Sequence, residues 1–158
     1  MRLSTKSRYA ITAMLDLALN GTAGPVTLAD ISENQNISLS YLEQLFASLR
    51  SKGLVRGVRG PGGGYFLAQD AGKISIADIV CAVDEWVEYT RSPDYLKKAG
   101  DTSHSTTRGL WEDLSGQIFD FLDEITLASL VTGEGHRAPA ALRAASGPSV
   151  TSITGEAA

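Results

Sequence analysis

The chain has 158 residues, 43% hydrophobic and 20% charged, enough to bury one core of ordinary size, and none of its apolar runs approaches the roughly 20 residues needed to span a bilayer. Its single cysteine, Cys81, excludes an intrachain disulfide framework and a cysteine-rich metal cage within one chain. The formal net charge of -4 is unevenly spread, with seven Lys/Arg against four Asp/Glu in residues 1–66 and seven against fourteen in the remainder, so the first half suits a polyanion.

Residues 4–20 carry Tyr9, Ile11, Met14, Leu15, Ala18 and Leu19 near the spacing of a helix that buries one face, with Ser4 as its cap. The N-terminal "MRLSTKSRYAITAML" has no small-residue cleavage site after its apolar part, and with no membrane segment the expected location is the cytoplasm. "GTAGP" (21–25) stops the helix, because Gly permits left-handed backbone and Pro cannot continue. "TLADISENQ" restarts one, with Thr27 as N-cap and Asp30 three residues on as a weak capping box, burying Leu28 and Ile31 and ending near Gln35.

In "NISLSYLEQLFASLRSKG", Ser40 followed by Glu43 reads as a capping box ahead of Leu42, Leu45, Phe46 and Leu49, and Gly53 suits the position after the last turn. The period then changes. Leu54–Arg56 and Tyr65–Leu67 are short strands, joined by the glycine-rich "GVRGPGGG" as a long hairpin tip. "ISIADIVCAVDEWVEY" gives a helix over 76–89, capped by Ser75 with Asp78 in its first turn and burying Ile79, Val80, Val83, Trp86 and Val87.

The polar stretch "RSPDYLKKAGDTSHSTTRG" (91–109) has the composition of a linker. A longer helix follows from about Thr107, with Leu110, Trp111, Leu114, Ile118, Phe121, Leu122 and Ile125 in one stripe, and Thr126 caps a last turn through Leu127 and Leu130. The composition after Gly133 buries too little apolar surface to offset its ordering entropy, so a disordered tail is expected. The expected organisation is a DNA-binding unit at 1–72, a helix and loop at 73–106, a dimerisation helix at 107–132 and the tail at 133–158.

"RGPGGGY" is the first stretch that could carry chemistry. Phosphate-cradling glycine loops need a strand before and a helix after them, with Lys-Ser/Thr at a set offset. Aromatic strand residues follow here instead, which argues against a nucleotide site. Alone, the stretch is equally well a flexible hairpin tip. The helices before it change that reading: short helix, turn, capped helix and hairpin is the order of a winged helix-turn-helix, in which the second helix enters the major groove and the wing reaches the adjacent backbone or minor groove. The expected fold is therefore mainly α with a small β-hairpin wing.

Specific roles follow from residue types. Ser38, Ser40, Tyr41, Glu43 and Gln44 lie around the first turns of the second helix, where side chains reach base edges and the helix dipole favours phosphate. Gln44 suits adenine and Glu43 can accept from cytosine N4, although Glu43 could instead serve only as the capping partner of Ser40. Arg59 would enter a narrow minor groove, with Gly60, Pro61 and the glycines after them letting the backbone approach. Arg2, Lys6, Arg8, Arg50, Lys52 and Arg56 would meet phosphates, or remain solvated surface charges. The stripe of the helix from 107 to 125 either packs against helix 76–89 or pairs two chains; pairing is favoured, because readers of this type meet two half-sites roughly 34 Å apart. His104 and His136 fall in the loop and the tail, and no catalytic constellation emerges, so an enzyme is not expected.

"STKSRYAITAMLDLALN", "GPVTLADISENQNISLSYLEQLFASLRSKGLV", "VRGPGGGYFLAQDAGKISIADIVCAVDE" and "LWEDLS" resemble the IscR-type regulators of iron–sulfur cluster biogenesis over about residues 1–131. The resemblance implies a homodimeric winged-helix repressor or dual regulator of iron–sulfur assembly genes. It carries DNA contacts over to Ser40, Glu43, Gln44, Arg59, Gly60 and Pro61, with the position of Glu43 separating two classes of DNA site.

It also implies a [2Fe-2S] cluster held by three cysteines and a histidine in the loop before the long helix. This sequence departs from that pattern, for the corresponding positions are Ser92, near Lys98, Ser105 and Arg108. Two expectations stay open: a regulator that works without a cluster, or an unusual cluster using Cys81 with His104, Asp or Glu. A buried or idle Cys81 thiol is the plainer alternative to the latter. A metal or redox sensor that acts through a protein partner is the rival reading in another class.

Overall fold

The computed structural model describes residues 3–84 and 106–134. Helix α1 (Thr5–Asn20) starts where the Ser4 hydroxyl accepts the Ser7 N–H at 3.1 Å, as its cap position requires. Its buried face is Ala10, Ala13, Met14 and Leu17. This corrects part of the expected stripe: Met14 is buried and Ile11, Leu15 and Ala18 pack half-buried on the core, but Tyr9 and Leu19 are 39% and 52% exposed. Small alanines occupy the side facing the other helices because they let the backbones approach, so the contact face carries less bulk than its flanks.

Helix α2 (Leu28–Gln35) opens with a complete capping box rather than a weak one: Thr27 Oγ1 accepts the Asp30 N–H at 3.1 Å, and an Asp30 carboxylate oxygen accepts the Thr27 N–H at 3.3 Å. It closes at Asn36, whose φ of 53° and ψ of 45° turn the chain left-handed. That turn buries Ile37 and brings the backbone into helical geometry two residues sooner than expected. Helix α3 therefore spans Leu39–Ser51 with Ser38 as its N-cap, its hydroxyl accepting the Tyr41 N–H at 3.3 Å. The expected Ser40–Glu43 capping box does not form, because Ser40 already lies inside the helix.

The end of α3 follows from glycine chemistry. Gly53 takes φ 73°, the Gly53 N–H donates to Arg50 O and the Leu54 N–H to Leu49 O, both at 3.0 Å, with Leu49 and Leu54 buried together. These paired bonds and that apolar contact form a Schellman stop. Strands β1 (Val55–Val58) and β2 (Gly64–Leu67) then pair antiparallel, in the register Val55↔Leu67, Arg56↔Phe66, Gly57↔Tyr65, Val58↔Gly64. Val26 bridges the far side of β2 through reciprocal bonds with Tyr65 of 3.0 and 2.7 Å. A Cβ on Gly64 would lie 2.6 Å from Val26 O, so only glycine fits there.

After a 3-10 turn at Ala71–Lys73, helix α4 (Ile76–Val83) is capped by Ser75 with the reciprocal Asp78 bonds of a second capping box. It ends earlier than the expected 89: Asp84 has extended backbone, φ -115° and ψ 94°. Trp86 and Val87 lie outside the described residues. Helix α5 (Thr106–Glu124) and helix α6 (Leu127–Val131), the latter capped by Thr126, complete the described fold. Ile76 N–H to Ile125 O and Leu127 N–H to Ile74 O, both 2.8 Å, tie this C-terminal pair to the start of α4, and the Ser75 hydroxyl donates to Asp123 at 2.9 Å. Leu127 is fully buried in the same core as Met14, Phe46 and Ile79. The fold is thus mainly α with a two-stranded hairpin wing, as its sequence order implied.

Candidate nucleic-acid interface

Helix α3 sorts its residues cleanly. Leu42, Leu45, Phe46 and Leu49 are buried, whereas Ser40, Glu43, Gln44 and Ala47 form an outward face at i, i+3, i+4 and i+7 spacing. Since Ser38 is the cap, the carboxylate of Glu43 has no capping duty, and one of the two roles open for it in the sequence falls away. Tyr41 is half-buried, its ring 5.7 Å from that of Tyr9 and edge-on to it. Arg50 is exposed in the last turn.

Arg59, Gly60 and Pro61 are exposed at the wing tip. Gly60 and Gly62 take φ of 101° and 72°, which side chains disfavour. The Gly63 N–H closes the tip onto Gly60 O at 2.9 Å, and a Cβ on Gly63 would clash with Val58 O. The wing is docked on α3 by Tyr65, whose ring lies edge-on at 4.9 Å from buried Phe46. That aromatic pair packs the body of the wing against the buried face of α3.

Residue-type reasoning left three features of this region unremarked. Ala47 completes the exposed face of α3. Thr5 and Tyr9, with Asn36, Ile37, Ser38 and Tyr41, line an open groove of about 350 Å³ where the starts of α1 and α3 meet. Asp16 is the third: it is 4% exposed, and its carboxylate accepts from Gln35 at 2.7 Å, Asn34 at 3.4 Å and Asn20 at 2.9 Å, joining α1 to α2. With Asp16 buried, one of the four acids in the basic half is removed from its surface.

Cys81 is half-buried on α4. His104, Ser92, Lys98 and Ser105 lie outside the described residues, as does the side chain of Arg108. Among the described residues no group of three or more His, Cys, Asp or Glu could hold a metal ion. The four positions matching the usual cluster ligands offer hydroxyl, ammonium and guanidinium groups, none of them a thiolate, and two carry the wrong charge for a cation. This donor set does not fit a [2Fe-2S] cluster. On α5, Leu110 and Leu114 are 62% and 38% exposed, while Leu122, and Ile125 just after the helix, pack against the core.

Among the described residues no helix is long and apolar enough to cross a membrane. The family model "Rrf2: Iron-dependent Transcriptional regulator" matches residues 3–133. The HTH-type transcriptional regulator IscR of Citrobacter koseri is 56% identical over 134 residues, 85% of this chain and 82% of that protein, and its counterpart in Salmonella newport is 56% identical over 85% and 81%. Among solved structures, T. potens IscR is similar at 36% identity with a TM-score of 0.69, covering 90% of this chain and 96% of its own. CymR, the global cysteine regulator of B. subtilis, is similar at 32% identity with a TM-score of 0.70, covering 84% and 98%. With a family match that runs through helix, wing and C-terminal helices alike, the chain belongs to the Rrf2 family, as a DNA-binding transcriptional regulator of the IscR type and not an enzyme.

Proposed function

We propose that the chain acts in the cytoplasm as a homodimeric, sequence-specific repressor of iron–sulfur assembly or iron-responsive genes. The observation that carries this reading is the exposed face of α3, Ser40, Glu43 and Gln44, on a helix whose buried Phe46 packs against Tyr65 of the wing that carries exposed Arg59. Gln44 would read adenine through its N6 and N7 edge, and Glu43 would accept from cytosine N4 or repel phosphate on a mismatched site. Ser38 and Tyr41 flank the helix N-terminus, where backbone N–H groups favour a phosphate. Arg59 would enter the minor groove, with Gly60 and Pro61 against the backbone, and Arg50 would meet a phosphate.

Residues 1–72 would then read DNA, 73–106 connect, and 107–132 pair two chains through Leu110 and Leu114, whose exposed side chains suit a second copy of the helix. The donor set leaves DNA reading independent of a cluster. A second reading keeps a [2Fe-2S] cluster on an atypical set with Cys81 and His104 and makes a protein partner the output; the half-buried position of Cys81 favours it. Anaerobic purification with iron and sulfide analysis, alongside binding to a palindromic duplex, separates the two. Iron-free protein that binds the duplex specifically supports the first. Iron and sulfide that disappear in Cys81→Ser, with no specific duplex binding by either form, support the second.

A further inference from the structure

Adjacent residues of β2 face opposite ways. Tyr65 faces inward to Phe46, and Phe66, half-buried, lies on the outer side of the wing. Opposite it in the ladder stands Arg56, next to buried Val55 and itself exposed, with its guanidinium carbon 4.8 Å from the centroid of the Phe66 ring. A guanidinium over a ring face is held by the ring quadrupole while its N–H donors stay available at the edge. The partner that orients Arg56 is thus neutral, and its full positive charge remains for an outside anion.

Arg56 lies three residues before Arg59, about 10 Å along an extended chain. Over that length a DNA duplex presents about six phosphate charges. With the wing tip in a groove, an arginine on the outer side of the wing one wing-length back reaches the flanking backbone. An unrestrained arginine would lose most of its rotamer freedom on making that contact; one already stacked loses less.

We infer that Phe66 is a positioning residue that holds Arg56 as a pre-oriented phosphate contact of the wing, adding sequence-independent affinity for duplex DNA. This inference rests on the reading of the wing as a DNA contact.

The test uses the full chain, a duplex that it selects from a random-sequence pool, and a random-sequence duplex of equal length, each titrated at several salt concentrations. Arg56→Ala weakens both duplexes by the same factor and lowers the salt slope by about 0.9, the value of one phosphate. Phe66→Leu weakens both about two- to fivefold, the range of an exposed cation–π contact. Phe66→Tyr, which keeps a ring, restores the affinity, and the double variant Arg56→Ala with Phe66→Leu binds like Arg56→Ala alone. Melting curves of every variant separate lost fold from lost contact, and Arg56→Ala reads the contact without disturbing the ring. A wild-type chain that retains no duplex overturns the DNA reading and this inference with it. A wild-type chain that binds while Arg56→Ala changes neither affinity nor slope overturns this inference alone, as do effects of the two variants that multiply in the double.

Discussion

Two serines two residues apart, Ser38 and Ser40, divide between them the tasks of starting α3 and facing outward. Ser38 accepts the Tyr41 N–H, so Ser38→Ala is expected to cost about 1 kcal/mol in chemical denaturation, whereas Ser40→Ala leaves the midpoint unchanged. Equal losses for both would contradict the cap assignment. Glu43, relieved of capping, is expected to act on sequence choice: Glu43→Ala and Gln44→Ala each shift discrimination at one base pair by about 1–3 kcal/mol, read by competition among duplexes that differ at single positions. A uniform loss across all duplexes would make these residues backbone contacts instead.

At the scale of the element, local reciprocity decides what a sequence discloses. The boxes Thr27–Asp30 and Ser75–Asp78 form as patterned, because in each the cap hydroxyl accepts the N–H three residues on and that residue's carboxylate accepts the cap N–H. Ser40–Glu43 has the same pattern and fails. The deciding feature is upstream, in the left-handed turn at Asn36 and the burial of Ile37, and a pattern of two residues does not contain it. The inner face of α1 was hidden for a different reason: Ala10 and Ala13 are chosen for closeness of approach, while the bulkier Tyr9 and Leu19 remain outside. Asp84 ends α4 without a Gly or Pro to announce it. The hairpin was legible because its glycines have steric duties. Gly64→Ala places a methyl 2.6 Å from Val26 O, and a loss of about 1–3 kcal/mol in unfolding free energy is expected, with weakened duplex binding as the wing shifts from Phe46. An unchanged melting temperature would mean that β2 does not lie against Val26.

Across the whole molecule, the order of helix, helix and wing disclosed the fold, and the stripe on α5 suggested a second chain as its partner. The stretch at 91–109 yielded least, because its information lies in what the residues are not: Ser92, Ser105, Arg108 and the positions near Lys98 carry no thiolate. The proposed pairing through α5 would use exposed Leu110 and Leu114, so Leu110→Asp with Leu114→Asp is expected to convert a dimer to a monomer in light scattering. The same change should cost most of the affinity for a palindromic duplex and little of that for a random one. The most direct test of the central claim, that iron-free chains read DNA through α3 and the wing, is the affinity of iron-free protein for a selected palindromic duplex and for a random duplex across a salt series. The account predicts a clear preference for the selected duplex, with a steep salt slope for both; no preference, or a preference present only once iron and sulfide are bound, would contradict it.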